Sequence, residues 1–367
     1  MLAADERFMR RALELAARAR GLTSPNPMVG AVVVRDGALV AEGFHHRAGA
    51  PHAEVEALTA AGDRARGATL YVTLEPCVHH GRTPPCVPAV VAASVARVVI
   101  AIADPNPLVS GRGLAALQEA GLEVAVGALA GEAAALNRVF MTAVRLQRPH
   151  VTLKVGMTLD GKIADVHGSS RWITGEPARL HAHRMRAESD AIVAGVATVL
   201  RDDPRLDVRL PEPWPREPYR VVLDSAARTP VDARILHAGD PSRVIVAVTR
   251  AASPGRVRAL REAGVTVLEL PGAAGRVDVS GLLAQLYERE VRAVLLEGGG
   301  EVHAAFLEAG LVDRVAAFVA PMLLGGRHAP TAVGGGGRAL KDAVRLLGTT
   351  VTTVGEDILV EADVARP

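Results

Sequence analysis

Apolar positions in the first part of the chain gather into short runs, with alanine-rich stretches at helical spacing between them. Runs at 29–34 (VGAVVV), 69–74 (TLYVTL), 97–102 (RVVIAI) and 122–126 (LEVAV) predict buried strands. The intervening pattern predicts helices over 53–61, 87–93, 112–120 and 131–145. Phe8, Met9, Ala12, Leu13, Leu15 and Ala16 recur at helical spacing and predict an amphipathic first helix. The last of these helices stops near Gln147-Arg148-Pro149, because the residue before a proline is pushed out of the helical region. A domain boundary is expected there, dividing the chain into 1–147 and 148–367. Beyond it, strand patterns at 150–156, 190–195, 219–224, 243–248, 265–269, 291–296 and 314–320 alternate with helical ones at 177–187, 255–263, 279–289 and 301–309. A short strand over Asp357 to Ala362 closes the chain, and Gly334 to Gly337 reads as a mobile loop. Both halves are therefore expected to be α/β.

Length agrees with that division, since 367 residues exceed one ordinary core. Charge is nearly balanced, 42 basic against 40 acidic residues, with no polybasic block, and aromatics are only 3%. A nucleic-acid partner is not expected, since it would call for a basic track and stacking rings. Asp5, Glu6, Arg7, Arg10 and Arg11 interrupt the start where an export signal needs an apolar core. No uncharged run approaches the roughly 20 residues of a membrane span. A cytoplasmic, reducing setting follows as the expectation. There the two cysteines, Cys77 and Cys86, suit a metal better than a disulfide.

The chemistry concentrates in Pro51-His52-Ala53-Glu54 and in Glu75-Pro76-Cys77 through Pro84-Pro85-Cys86. A catalytic zinc takes three protein ligands and keeps one position open, which His52, Cys77 and Cys86 satisfy. In zinc deaminases a glutamate two residues after the histidine moves protons without touching the metal, and Glu54 stands there. Residues two apart point roughly 200° apart on a helix, so His52 and Glu54 must straddle a helix start. Pro76 and Pro85 are expected to place Cys77 and Cys86 at helix N-termini, where the dipole favours thiolates. A purely structural zinc knuckle would need a fourth ligand; His79 and His80 are nearby but read as exposed loop residues. A nucleic-acid-editing deaminase shares the same four residues, and a zinc-stapled binding module is the non-enzymatic alternative.

Eight residues separate the cysteines, where the general motif has two. The spacer, expected to form a loop over the pocket, gives PCVHHGRTPPC. In this the sequence resembles the bifunctional deaminase/reductase family of riboflavin biosynthesis. Asn26-Pro27-Met28-Val29-Gly30, Gly43-Phe44-His45 and Ala103-Asp104-Pro105-Asn106-Pro107 match as well. In the second half so do Lys154 to Lys162, Ser170 to Thr174, Thr198 to Pro204, Leu223-Asp224-Ser225 and Pro321 to Gly326. The resemblance covers essentially the whole chain. It implies a cytidine-deaminase-like α/β/α domain, then a dihydrofolate-reductase-like domain using NADPH, in a homo-oligomer.

Residue by residue, the resemblance implies deaminase substrate contacts at Asn26, His45, Arg82 and Asp104. A guanidinium suits a phosphate, so Arg82 is the candidate clamp, the alternative being a solvated loop charge. Asn26, between prolines, also suits a turn. NADPH contacts are implied at Gly156, Trp172, Thr198, Asp202 and Ser225, and at Gly299, Gly300, Glu301, Val302, His303, Ala304 and Ala305. Reductase substrate contacts are implied at Ser170, Arg186, Leu206, Arg209 and Glu297. Trp172 also suits a core, Arg186 a solvated helix face and Asp202 a helix cap. No Rossmann fingerprint follows the first strand of this half. Glu297-Gly298-Gly299-Gly300 instead ends a strand and opens a helix, leaving backbone N–H groups that can hold a pyrophosphate. Thr249-Arg250 is a candidate for the 2′-phosphate of NADPH, and no general acid is readable in this half. The implied reaction is hydrolytic deamination of 2,5-diamino-6-ribosylamino-4(3H)-pyrimidinone 5′-phosphate, followed by reduction of its ribosyl group to ribityl.

Overall fold

In a computed structural model the chain forms two compact units, one up to Arg148 and one from Pro149 onward. Residues 3–273 and 275–366 are described. The first unit runs α1 (Ala3–Ala17), β1 (Gly30–Arg35), β2 (Ala38–Phe44), α2 (Ala53–Ala61), β3 (Thr69–Val72), α3 (Cys86–Ala92), β4 (Arg97–Ile100), α4 (Arg112–Glu119), β5 (Glu123–Val126), α5 (Ala130–Leu136) and α6 (Arg138–Leu146). Its described strands form one sheet in the order β2-β1-β3-β4-β5. β1 is antiparallel to both neighbours, and β3, β4 and β5 are parallel. Side chains of β1 alternate between two cores: Ala31 and Val33 pack with Ala57, Leu58 and Val90, and Val32 and Val34 with Met9 and Leu13. Burial on both faces explains why β1, β3 and β4 read as continuous apolar runs, whereas the edge strand β5, expected to be buried, is only partly covered along its length.

Two departures from the sequence pattern have physical causes. β2 was not expected, yet Asp36 (φ 51°) and Gly37 (φ 75°) both adopt the left-handed conformation that a tight hairpin turn requires. The helix expected over 131–145 is broken at Asn137. Its buried amide donates from Nδ2 to the Met28 carbonyl at 2.8 Å and accepts the Met28 N–H at 2.8 Å. At the residue so tethered the backbone departs from helical values (φ −97°, ψ 20°), which divides the segment into two helices.

The second unit contains β6 (His150–Thr158), α7 (Glu176–Ala187), β7 (Ala191–Gly195), α8 (Val196–Asp202), β8 (Tyr219–Leu223), α9 (Arg234–His237), β9 (Val244–Val248), α10 (Pro254–Glu262) and β10 (Thr266–Glu269). It continues through β11 (Gly272–Ala273), β12 (Arg276–Val277), α11 (Val279–Glu288), β13 (Ala293–Leu296), α12 (Gly300–Glu308), β14 (Arg314–Ala320), β15 (Leu346–Val354) and β16 (Asp357–Val364). Among the described residues its main sheet has the order β10-β9-β8-β7-β13-β6-β14-β16-β15. It is parallel from β10 to β14 and antiparallel over β14, β16 and β15. In β7, Ala191 and Val193 face one core while Ile192 and Ala194 face another. α8 and β15 were not expected; β15 is exposed along nearly its whole length, so burial leaves no alternation in its sequence. Gly334 and Gly335 are not a free loop. The Gly334 N–H donates to the Gly300 carbonyl at 2.9 Å, and the Gly335 N–H to Glu301 Oε1 at 3.2 Å, docking the segment on α12. No helix among the described residues is long and apolar enough to cross a membrane.

Candidate active sites

In the first unit, His52 is the N-cap of α2, with extended backbone (φ −78°, ψ 159°), and Glu54 lies in the first turn. The helix can approach β2 because Gly43 faces it: a Cβ there would lie 2.6 Å from the Ala53 carbonyl oxygen and the Ala57 nitrogen. Cys86 opens α3 directly after Pro85. Cys77, against expectation, heads no helix of its own. Its carbonyl accepts the N–H groups of Cys86 and Val87 at 3.1 and 3.2 Å, and its Sγ accepts the Cys86 N–H at 3.4 Å. Both sulfurs therefore share the positive end of α3.

His52 Nδ1 lies 3.0 Å from Cys86 Sγ and 3.6 Å from Cys77 Sγ, and the sulfurs are 3.7 Å apart. Donors 2.0–2.3 Å from a tetrahedral zinc stand about 3.4–3.8 Å from one another. The 3.6 and 3.7 Å separations match that span and the 3.0 Å one is shorter, so one ion would be taken up with a small outward shift of His52 or Cys86, leaving a fourth position. Sharing a proton with Cys86 pulls the Cys77 thiol well down and pushes that of Cys86 up. Hydrogen bonding to Cys77 raises His52. Glu54, 3% exposed beside this cluster, has its carboxyl pushed up by burial. Thr83 Oγ1, on the loop between the cysteines, lies 3.0 Å from His52 Nε2.

Asn26 and His45 lie together. His45 Nδ1 is 3.0 Å from the Pro51 carbonyl, which can only accept, so Nε2 is the nitrogen that accepts from Asn26 Nδ2 at 3.0 Å. Burial lowers the pKa of His45, keeping the ring neutral. Arg82 is exposed on the same loop as Thr83. His80 is exposed too, whereas His79 is half-buried with its Nδ1 enclosed. Asp104 is 7% exposed, and burial raises its carboxyl to about 6. Sequence reasoning missed Glu75 as an organiser. Its buried carboxylate accepts the N–H groups of Asp104, Gly111, Gly113 and Leu114 at 2.9–3.2 Å.

In the second unit a cavity of about 460 Å³ opens where β6, β13 and the start of α12 meet. Gly156, Ser170, Thr198, Asp202 and Glu297 line it, as do Gly299, Gly300, Glu301 and Val302. The three glycines differ. A Cβ on Gly298 would lie 2.6 Å from Val302 Cβ, and one on Gly300 2.7 Å from the Thr331 carbonyl oxygen. One on Gly299 would meet only Thr198 Oγ1, at 3.9 Å, so the α12 N-terminus is open to the cavity there. The Glu301 carboxylate, which would repel a phosphate, is occupied by Arg276 at 3.0 Å and the Gly335 N–H. This cradle fits a dinucleotide's pyrophosphate.

Other expected residues stand outside the cavity lining. Trp172 is 66% exposed, with the Arg179 guanidinium over its ring, so it is not core. Ser225 Oγ accepts the Val277 N–H. His303 and Ala304 are buried, His303 Nδ1 donating to the Ala332 carbonyl, and Ala305 packs against the core. Leu206 is buried, and Arg209 lies exposed beside His183 and Asp207. Thr249 is buried and donates to the Ser225 carbonyl, while Arg250 is exposed. Arg186 does not face solvent. It grips Glu297 with two bonds, 2.5 and 3.0 Å, and donates to the Asp207 carbonyl. Lys154, a missed residue, lines the cavity 3.5 Å from Glu297 Oε2; its only signal was a charge inside an apolar strand. Burial pushes the Glu297 carboxyl up, but Arg186 and Lys154 outweigh it and hold it down to about 2.

A metal-competent His/Cys/Cys cluster with a buried glutamate, and a glycine-rich cavity in a separate α/β unit, define a deaminase fused to a reductase. Residues 2–102 match the cytidine and deoxycytidylate deaminase zinc-binding region, and residues 149–360 match the RibD C-terminal domain. The riboflavin biosynthesis protein RibD of Actinobacillus pleuropneumoniae is 43% identical over 99% of this chain and 96% of its own. That of Aquifex aeolicus is 42% identical over 97% of each. The solved structure of Acinetobacter baumannii RibD superposes with a TM-score of 0.90 at 40% identity, covering all of both chains. The deaminase/reductase of Thermotoga maritima gives 0.85 at 38% identity over 99% of each. The chain belongs to the RibD family of riboflavin biosynthesis, with zinc and NADPH as its cofactors.

Proposed function

We propose that the first unit hydrolyses the amino group of 2,5-diamino-6-ribosylamino-4(3H)-pyrimidinone 5′-phosphate, and that the second reduces the ribosyl group of the product to ribityl. The observation that carries the reading is the three-donor cluster of His52, Cys77 and Cys86 with Glu54 buried beside it. When bound, zinc lowers the pKa of a water so that it can attack at neutral pH. Glu54 takes a proton from the attacking water and returns one to the departing amine, leaving as ammonia. A carboxyl raised by burial suits both transfers. Asn26 and the neutral His45 read the base, Asp104 a polar edge, and Arg82 the phosphate.

In the second unit the glycine-rich cavity would hold NADPH, whose chemistry there would be hydride donation to C1′ of the opened sugar. Lys154 holds the balancing proton, and Glu297, fixed by Arg186, binds sugar hydroxyls. Ser170, Leu206 and Arg209 complete the substrate side; Gly156, Trp172, Thr198, Asp202, Ser225 and the α12 segment complete the cofactor side. Exposure of Leu347 and Val351 on β15 supports a homo-oligomer that covers this edge.

The test is to supply the diaminopyrimidinone phosphate with NADPH and follow ammonia and NADPH oxidation separately. Glu54→Gln should abolish ammonia release with zinc retained. Ammonia release without NADPH oxidation refutes the second step, and an active Glu54→Gln refutes the first.

A further inference from the structure

We propose that Thr83 is a positioning residue of the metal centre: its hydroxyl accepts the Nε2 proton of His52 and so fixes which ring nitrogen is left to hold zinc. The proposal rests on the zinc-site reading above and adds to it a role for the spacer between the cysteines.

The spacer is tied at both ends. The Cys77 carbonyl receives the N–H groups of Cys86 and Val87, and within the loop the Gly81 N–H donates to the Thr83 carbonyl at 3.2 Å. Pro84 and Pro85 follow, Pro85 at φ −64° and ψ 149°, so Thr83 hangs from a stiff extended strut that ends at the ligand Cys86. A residue preceding proline is itself confined to extended backbone, and a β-branched side chain has restricted χ1. The hydroxyl is thus placed by the stiffness of the chain that carries it.

The ring of His52 needs what this hydroxyl offers. Nδ1 faces both sulfurs, at 3.0 and 3.6 Å, and must carry a lone pair rather than a proton to ligate. The neutral ring then carries its proton on Nε2. A half-buried imidazole N–H needs an acceptor, and among the described residues Thr83 Oγ1, at 3.0 Å, is the one within reach. Metal-bound histidines characteristically donate their second nitrogen in this way. The partner sets tautomer and ring orientation, and losing it lowers metal affinity by roughly 10–100-fold.

Zinc affinity of the full-length enzyme should be measured by chelator competition for the parent, Thr83→Val and Thr83→Ser. Valine keeps the shape and removes the acceptor, and should weaken zinc binding by roughly 10–100-fold. Serine keeps the acceptor and should bind close to the parent. With 15N-histidine labelling, the zinc-loaded parent and Thr83→Ser should each show a slowly exchanging His52 Nε2 proton, lost in Thr83→Val. Thr83→Val holding zinc as tightly as the parent overturns the proposal. So does Thr83→Ser as weak as valine, which would assign the effect to packing of the methyl group. Absence of a protected His52 Nε2 proton in the zinc-loaded parent overturns it without recourse to any variant. In all three cases the zinc-site reading stands. Failure of the parent to bind zinc, or zinc binding unaffected by His52→Ala, brings down both.

Discussion

Arg186→Met removes one charge from beside a buried carboxylate, and its first effect should be on stability. In the unfolded chain Glu297 has the ordinary value of 4.5; in the folded unit Arg186 and Lys154 hold it down to about 2. By linkage, such a carboxylate contributes on the order of 3 kcal/mol at neutral pH. The sign follows from a depressed acid: the contribution is fully present above 4.5 and disappears as pH falls toward 2. In the variant, Lys154 at 3.5 Å remains to oppose burial, so the carboxyl should move up from about 2 toward its ordinary value. Removing one side of a buried ion pair costs about 3–5 kcal/mol. For a unit of this size each kcal/mol lowers the unfolding midpoint by roughly 2–4 °C. Differential scanning calorimetry near neutral pH should therefore show the reductase transition falling by roughly 6–20 °C, with the deaminase transition unmoved. The gap between parent and variant should narrow as pH is lowered through the carboxylate range. Replacing Glu297 by leucine in the same molecule should recover much of the loss, because no unpaired charge then remains buried. A loss below about 1 kcal/mol, or one that does not change with pH, would refute this account of Glu297.

Two further outcomes follow from the same geometry. Asp104 is an acid raised by burial from 3.8 to about 6, so its penalty is absent below 3.8 and complete above about 6. Asp104→Asn should stabilise the first unit by about 1–3 kcal/mol near neutral pH and by nothing in acid, while weakening substrate binding; thermal melts across pH together with KM check both halves. Gly300→Ala should destabilise the second unit by about 1–3 kcal/mol through its clash with the 331–334 backbone. Gly299→Ala should leave the midpoint unchanged and raise the KM for NADPH; equal effects of the two on stability would count against the division of roles among the glycines.

Strands buried on both faces announce themselves as apolar runs, which is why β1, β3, β4, β7 and β9 could be located from the pattern. β2 and β15 could not, for opposite reasons. β2 carries Ala38, Glu42 and Gly43 and little β-branched density, and its real signal was the Asp36-Gly37 turn. β15 buries almost nothing, so no periodicity is imposed on it. The break at Asn137 is invisible locally because its cause, Met28, lies 109 positions earlier in the chain. The deaminase cluster is a local motif and is legible for that reason. Glu75 and Lys154 acquire meaning only from distant partners, the 104–114 backbone and Glu297. On α12 the phase of the helix decides: Val302 lines the cavity, whereas His303 and Ala304 turn toward the interior.

The amides gathered by Glu75 make one mechanical unit of two stretches of chain that the sequence keeps apart. The carboxylate lies two residues before Cys77, so the backbone that carries a zinc ligand also holds the backbone that carries Asp104. Neither stretch can shift without stretching the bonds that fix the other. In hydrogen exchange, 75–77 and 104–114 should open together, with a common free energy, and removal of the metal should loosen both. An enzyme arranged this way has no rigid metal seat flanked by an independent recognition loop. Loss of the ion should be felt at Asp104 through the buried Glu75 carboxylate and through the bond from the Glu75 N–H to the Ile102 carbonyl.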